Sequence, residues 1–132
     1  MKPKSRILVI EDTADTRRFL EVMLSKEFEV ISAENGVIGV DYARNKAPDL
    51  ILLDIIMPEM DGFELLEKIN NEKLSPNSIK IILSNKSQQS DIDRSNNLGA
   101  SGYIVKANST PAEVINQVIA ILNKKLVFPS NI

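Results

Sequence analysis

Five short apolar blocks, rich in β-branched residues, recur along this chain at residues 7–10, 30–31, 50–53, 79–83 and 103–105. Each is bounded by polar or turn residues, which marks it as a strand. Runs that are apolar throughout, rather than at every second position, suit a parallel sheet covered on both faces, so all five are expected to be buried. Between them lie segments with helical period. The first carries Phe19, Leu20, Met23 and Leu24 on one stripe, with Arg17, Arg18, Glu21 and Lys26 off it. The second spans about 36–45 and is closed by Pro48, and the third carries Phe63, Leu65, Leu66 and Ile69. The fourth, 87–97, has one large apolar residue, Ile92, and is expected to pack loosely. In the fifth, Thr110, Pro111 and Glu113 spell an N-cap, a first-turn proline and a capping box ahead of Val114, Ile115, Val118, Ile119 and Leu122. Alternating strands and helices with short connections imply right-handed crossovers and a doubly wound α/β sheet.

The 132 residues are close to one domain's worth, and no linker or repeat divides them. A single domain over 1–132 is expected, with its core at about 6–125, a short tail at 126–132 and no output domain. With no cysteine and no histidine, the chain offers no disulfide, thiolate site, imidazole base or phosphohistidine of its own. Chemistry is left to carboxylates, hydroxyls, lysines and backbone amides. A net charge of −2, with both signs interspersed, gives no footprint for nucleic acid or an anionic membrane. The apolar run behind the basic N-terminus is four residues, too short for a signal sequence or a span. The expectation is a soluble, cytoplasmic protein.

Ligands of open α/β sheets bind beyond the carboxyl ends of the strands. Glu11 and Asp12 follow the first strand, Asp54 the third, Ser84 ends the fourth, and Lys106 follows the fifth. Carboxylates gathered at one edge repel one another unless positive charge lies among them. A hard divalent cation such as Mg²⁺ answers that need with one or two carboxylates, waters and a phosphoryl oxygen. Lys106 and Ser84 suit other phosphoryl oxygens, and an aspartate so placed can act as nucleophile. Singly, each residue is most often a turn former or a solvated side chain. Four strand ends with complementary groups at one edge point to a functional site.

The chain resembles the receiver domain of two-component response regulators, from about residue 6 to 125. The resemblance rests on the Glu11–Asp12 pair, Asp54 in Leu-Leu-Asp-Ile-Ile-Met-Pro-Glu-Met-Asp-Gly, Ser84, and Tyr103 and Lys106 in Gly-Tyr-Ile-Val-Lys. The intervals of 30 residues from Asp54 to Ser84 and 22 from Ser84 to Lys106 fit the family pattern. The resemblance implies a flavodoxin-like sheet of order 2-1-3-4-5 with five helices, and a signalling protein rather than an enzyme. It implies Asp54 as phosphoacceptor and Asp12 as Mg²⁺ ligand. Glu11 would act through water, and the Ile56 carbonyl would complete the protein ligands. Ser84 and Lys106 would hold phosphoryl oxygens, and Tyr103 would change rotamer with Ser84. It further implies a histidine kinase or histidine phosphotransfer protein as donor, and a downstream protein target on the face of the fourth helix, fifth strand and fifth helix. The receiver would act as a monomer or weak homodimer.

Two positions depart from the family pattern. The proline that follows the lysine is Ala107, and a cis bond without proline costs roughly 2.5–4 kcal/mol, so this loop either holds a strained bond or runs trans. Asn85 stands where a small residue is usual. Three other readings are weaker. A haloacid-dehalogenase-type phosphatase would need a second acid at Ile56. A flavodoxin-type cofactor module would not set Glu11 and Asp12 against a bare phosphate. A receiver-like module independent of phosphorylation would not need the full set of acids, Ser84 and Lys106.

Overall fold

The computed structural model describes residues 4–126. Five parallel strands form one sheet in the order β2-β1-β3-β4-β5. They are β1 (Arg6–Ile10), β2 (Glu29–Ala33), β3 (Leu50–Leu53), β4 (Ile79–Ser84) and β5 (Gly102–Val105). The helices are α1 (Ala14–Leu24), α2 (Gly36–Asn45), α3 (Gly62–Asn71), α4 (Gln89–Asn97) and α5 (Pro111–Leu126). The doubly wound architecture and strand order are those expected. The tail beyond Leu126 lies outside the described residues. Among those described, no helix is long and apolar enough to cross a membrane.

Side chains alternate across each strand, so every central strand feeds two cores. Ile7, Val9, Leu50, Leu52, Ile81 and Leu83 face α1 and α5, meeting Leu20, Leu24, Val114, Val118 and Leu122. Leu8, Ile10, Ile51, Leu53 and Ile82 face the other way, onto Val40, Phe63, Leu66 and Ile69. This two-sided burial explains why β1 and β3 read as unbroken apolar runs. Strands β2 and β5 depart from the expectation of five buried strands. They are the edge strands, with Ala33 the one buried residue of β2 and Ile104 the one buried residue of β5. The β4 block also contains Lys80, which is buried with its ammonium donating to the Ser75 carbonyl at 2.7 Å.

The capping box of α5 forms as the sequence predicts. The Thr110 amide donates to Glu113 Oε1 at 2.9 Å, and the Glu113 amide donates to Thr110 Oγ1 at 3.2 Å. Helix α4 is as sparsely anchored as expected, with Ser95 its buried residue, and it starts at Gln89 rather than 87. Phe19 is the exception in α1. It is 39% exposed, because the stripe that buries Leu20 and Leu24 leaves Phe19 lining a groove of about 340 Å³ with Leu83, Lys106, Pro111 and Val114.

Gly62, the last residue of the Asp54 motif, opens α3 and donates its amide to the Ile55 carbonyl at 2.8 Å. A Cβ there would lie 2.6 Å from the Ile55 Cα and closer still to the Asp54 carbonyl oxygen. Backbone cannot yield as a flexible side chain can, so only glycine lets α3 start this close to the loop behind Asp54. Gly62→Ala is therefore expected to destabilise the protein by about 1–3 kcal/mol, the usual range for overpacking. Urea denaturation of the two proteins measures it, and a midpoint equal to wild type would contradict the close approach.

Candidate functional site

Strands β1 and β3 are adjacent and in register, with Ile10 opposite Leu53, so Glu11 and Asp54 leave the sheet side by side. The Asp54 amide still donates to the Ile10 carbonyl at 3.2 Å, and the Glu11 amide to Ala33 on the other flank at 3.1 Å. Both residues are thus held by the ladder up to the point where their side chains reach the edge. One oxygen from each of Glu11, Asp12 and Asp54 lies within 4.8 Å of the others. Glu11 is 2% exposed and Asp54 8%, and Asp12 is the least buried of the three.

Lys106 enters from β5, two strands away from Asp54. Strand spacings of about 4.8 Å put that gap within the range of a long side chain and beyond a short one. Its Nζ lies 2.8 Å from Glu11 Oε1 and 3.2 Å from Asp54 Oδ2. The Lys106–Ala107 bond is trans, and a 3-10 turn, Lys106–Asn108, follows it. The lysine therefore reaches the carboxylates without the proline found elsewhere in such motifs.

The remaining polar contacts divide the work. Glu11 Oε2 accepts the Thr13 amide at 3.3 Å, so both oxygens of Glu11 are engaged. Asp54 Oδ1 accepts the Ile56 amide at 3.2 Å, which fixes the rotamer of Asp54 and sets Ile56, 55% exposed, at the rim. Among the described residues the Asp12 carboxylate takes no hydrogen bond, leaving its oxygens open to a ligand. Burial pushes the Glu11 carboxyl above the usual glutamate range, against the hydrogen bond from Lys106, and the charge of Asp54 adds to the rise. Burial would lower Lys106, but the hydrogen bond to Glu11 and the charges of Asp54 and Glu11 outweigh it and raise the ammonium above an ordinary lysine.

Ser84 and Tyr103 form a second group beside this cluster. Ser84 is fully buried, and its Oγ accepts the Lys86 amide at 3.3 Å. The Tyr103 hydroxyl donates to the Lys86 carbonyl at 2.7 Å. Burial raises the Tyr103 phenol, with Asp91 and Asp54 adding to the rise and a hydrogen bond with Ser84 opposing it. All the expected site residues thus stand at one edge of the sheet. Glu11, Asp54 and Lys106 meet directly with an Asp12 oxygen within 4.8 Å of the other two acids, whereas Ser84 and Tyr103 converge on Lys86. Asp61, the last acid of the motif, is the N-cap of α3 and accepts the Glu64 amide at 2.9 Å.

A family model described as the response regulator receiver domain matches residues 7–119. The chain belongs to this family. It is 34% identical to Protein PilH of Pseudomonas aeruginosa over 88% of this chain and 98% of PilH. It is 31% identical to Hybrid signal transduction histidine kinase D of Dictyostelium discoideum, over 92% of this chain but 8% of that kinase. Several of the relatives it matches are thus far longer than the part the receiver spans. A solved CheY-like receiver domain from Methanospirillum hungatei superimposes with a TM-score of 0.79 at 30% identity, covering 92% of this receiver and 95% of that chain. The fold, the acidic cluster and the family agree on a receiver domain of two-component systems. Such domains are in general signalling modules.

Lys106 opposes the rise of the Glu11 carboxyl, so Lys106→Met is expected to push it further up. A carboxyl that titrates higher folded than unfolded contributes stability that is full below the unfolded value, about pH 4.3, and is lost as pH rises through the folded value. In metal-free buffer the stability of the variant should therefore decline relative to wild type across that interval and level off above it. Carboxyl NMR titration with parallel urea melts provides the measurement. A Glu11 titration unmoved by the substitution would contradict the coupling.

Proposed function

We propose that this receiver accepts a phosphoryl group on Asp54 from a phosphohistidine of a histidine kinase or histidine phosphotransfer protein, in the cytoplasm. The observation that carries the reading is the Lys106 ammonium, bonded to both Glu11 and Asp54 while an Asp12 oxygen lies within 4.8 Å of theirs. In the transfer, an Asp54 carboxylate oxygen forms the new bond to phosphorus as the phosphorus–nitrogen bond of the donor breaks, and the electron pair returns to the imidazole. Catalysis of this kind is positioning and charge neutralisation. The Ile56 amide on Oδ1 holds the carboxylate in one orientation, and Lys106 stands ready to meet a phosphoryl oxygen.

Three carboxylates against one ammonium leave local negative charge, and oxygen donors at this spacing suit a hard divalent cation, Mg²⁺ being the reading adopted. Asp12 and Asp54, with the Ile56 carbonyl, would hold it, and Glu11 would act through water. When bound, the cation neutralises charge that builds on the phosphoryl oxygens. Ser84 would take a further phosphoryl oxygen, giving up its bond from the Lys86 amide. Tyr103 would follow, passing the change to the face of α4, β5 and α5, where a downstream protein would dock. The sparse anchoring of α4 supports this, since locally weak elements are those that move in switching.

Incubation with a small-molecule phosphodonor, read by intact mass, tests the function. One phosphoryl group should be gained in the presence of Mg²⁺ and none with a chelator, and Asp54→Asn should abolish the gain. An acyl phosphate mapped to Asp12 or Asp61 would overturn the assignment.

The lifetime of the product is a separate expectation. The Ile56 side chain offers water no hydrogen bond and is exposed at the rim, and a lysine such as Lys86 brings donors without an acceptor for the water's proton. The acyl phosphate should therefore be long-lived. The double variant Ile56→Asn with Lys86→Glu should lose phosphate faster after donor removal. Decay no faster than wild type would show that these side chains do not govern the attacking water.

A further inference from the structure

Arg17 lies on the flank of α1 that the helical pattern gives to solvent, yet its side chain turns back past the start of the helix. Helical side chains lean toward the N-terminus, so a long residue one turn in can reach the chain that precedes the helix. Its Nη1 donates to the Glu11 carbonyl at 2.9 Å and, at greater length, to the Asp12 carbonyl at 3.4 Å. The Arg17 amide meanwhile donates to the Thr13 carbonyl at 2.9 Å. Three successive carbonyls of the β1–α1 loop are thus held by one residue.

This loop is where the ladder stops. Glu11 keeps one sheet bond through its amide, but among the described residues the bond from Arg17 is the hydrogen bond that holds Asp12. With the two carbonyls turned to the guanidinium, their peptide planes are fixed, and with them the directions in which the two carboxylates leave the backbone. Among the described residues the guanidinium forms no ion pair with Glu11 or Asp12, so it is engaged with backbone rather than with the acids.

We infer that Arg17 is a positioning residue for the acidic pair, clamping the backbone of Glu11 and Asp12 so that the site binds a divalent cation. The inference rests on the cation reading of the site given above. Groups that orient metal ligands without touching the metal commonly account for 10- to 100-fold in affinity.

The test is Mg²⁺ titration of the unphosphorylated protein, followed by amide NMR shifts, together with hydrogen exchange at the Thr13 amide in metal-free buffer. Arg17→Met keeps the apolar stem and removes the donors. It is expected to weaken Mg²⁺ binding about tenfold and to speed Thr13 exchange. Met23→Ala, on the same helix and packed against the core at its far end, controls for general loosening of α1 and should leave the dissociation constant unchanged. Equal affinity in wild type and Arg17→Met overturns the clamp, as does an equal loss in Met23→Ala. Should Arg17→Met not fold, Arg17→Lys carries the test, and unchanged affinity and exchange in it overturn the clamp. A wild-type protein that binds no Mg²⁺ would refute the cation reading and the affinity claim with it. Thr13 exchange would then still judge whether Arg17 orders the loop.

Discussion

One ammonium group ties the two halves of this sheet's functional edge together. Lys106 comes from β5 and bonds Glu11 after β1 and Asp54 after β3, so its position depends on three strands keeping their register. Buried carboxylates so close to one another would resist folding without it, because each unpaired charge taken from water is costly. The rest of the architecture serves that convergence. A parallel sheet sends every strand end to the same side, and the central place of β1 and β3 sets their acids next to each other.

The site is strongly held in some places and open in others. Glu11 is engaged through its amide, its carbonyl and both carboxylate oxygens, whereas Asp12 presents a carboxylate without a hydrogen bond among the described residues. Asp54 lies between these extremes, with one oxygen on the Ile56 amide and the other on Lys106. A cluster built this way has two acids held by hydrogen bonds and a third left open.

Much of this was legible in the sequence because the physics that specifies it is local. Blocks such as 7–10 and 50–53 can only be strands buried on both faces, and Thr110 with Glu113 marks the start of α5 within a residue. The site residues were visible as groups that follow strands. What escaped was whatever depends on contacts between elements. Val30 and Ile31, flanked by Glu29 and Ser32, already carried the mark of a half-exposed edge. The stripe on α1 gives a direction but not a width, so Phe19 was assigned to the core it borders. Arg17 looked like a surface residue because periodicity says which side a residue leaves from, not how far it reaches. Gly62 was part of a motif, yet its reason, the backbone of Asp54 and Ile55 against it, exists only in three dimensions.

Lys86 occupies an unusual position in this molecule. Its amide is bonded to the Ser84 hydroxyl and its carbonyl to the Tyr103 hydroxyl, so two side chains grip opposite ends of one residue. The start of the β4–α4 connection is therefore pinned from two strands at once, by Ser84 from β4 and by Tyr103 from β5.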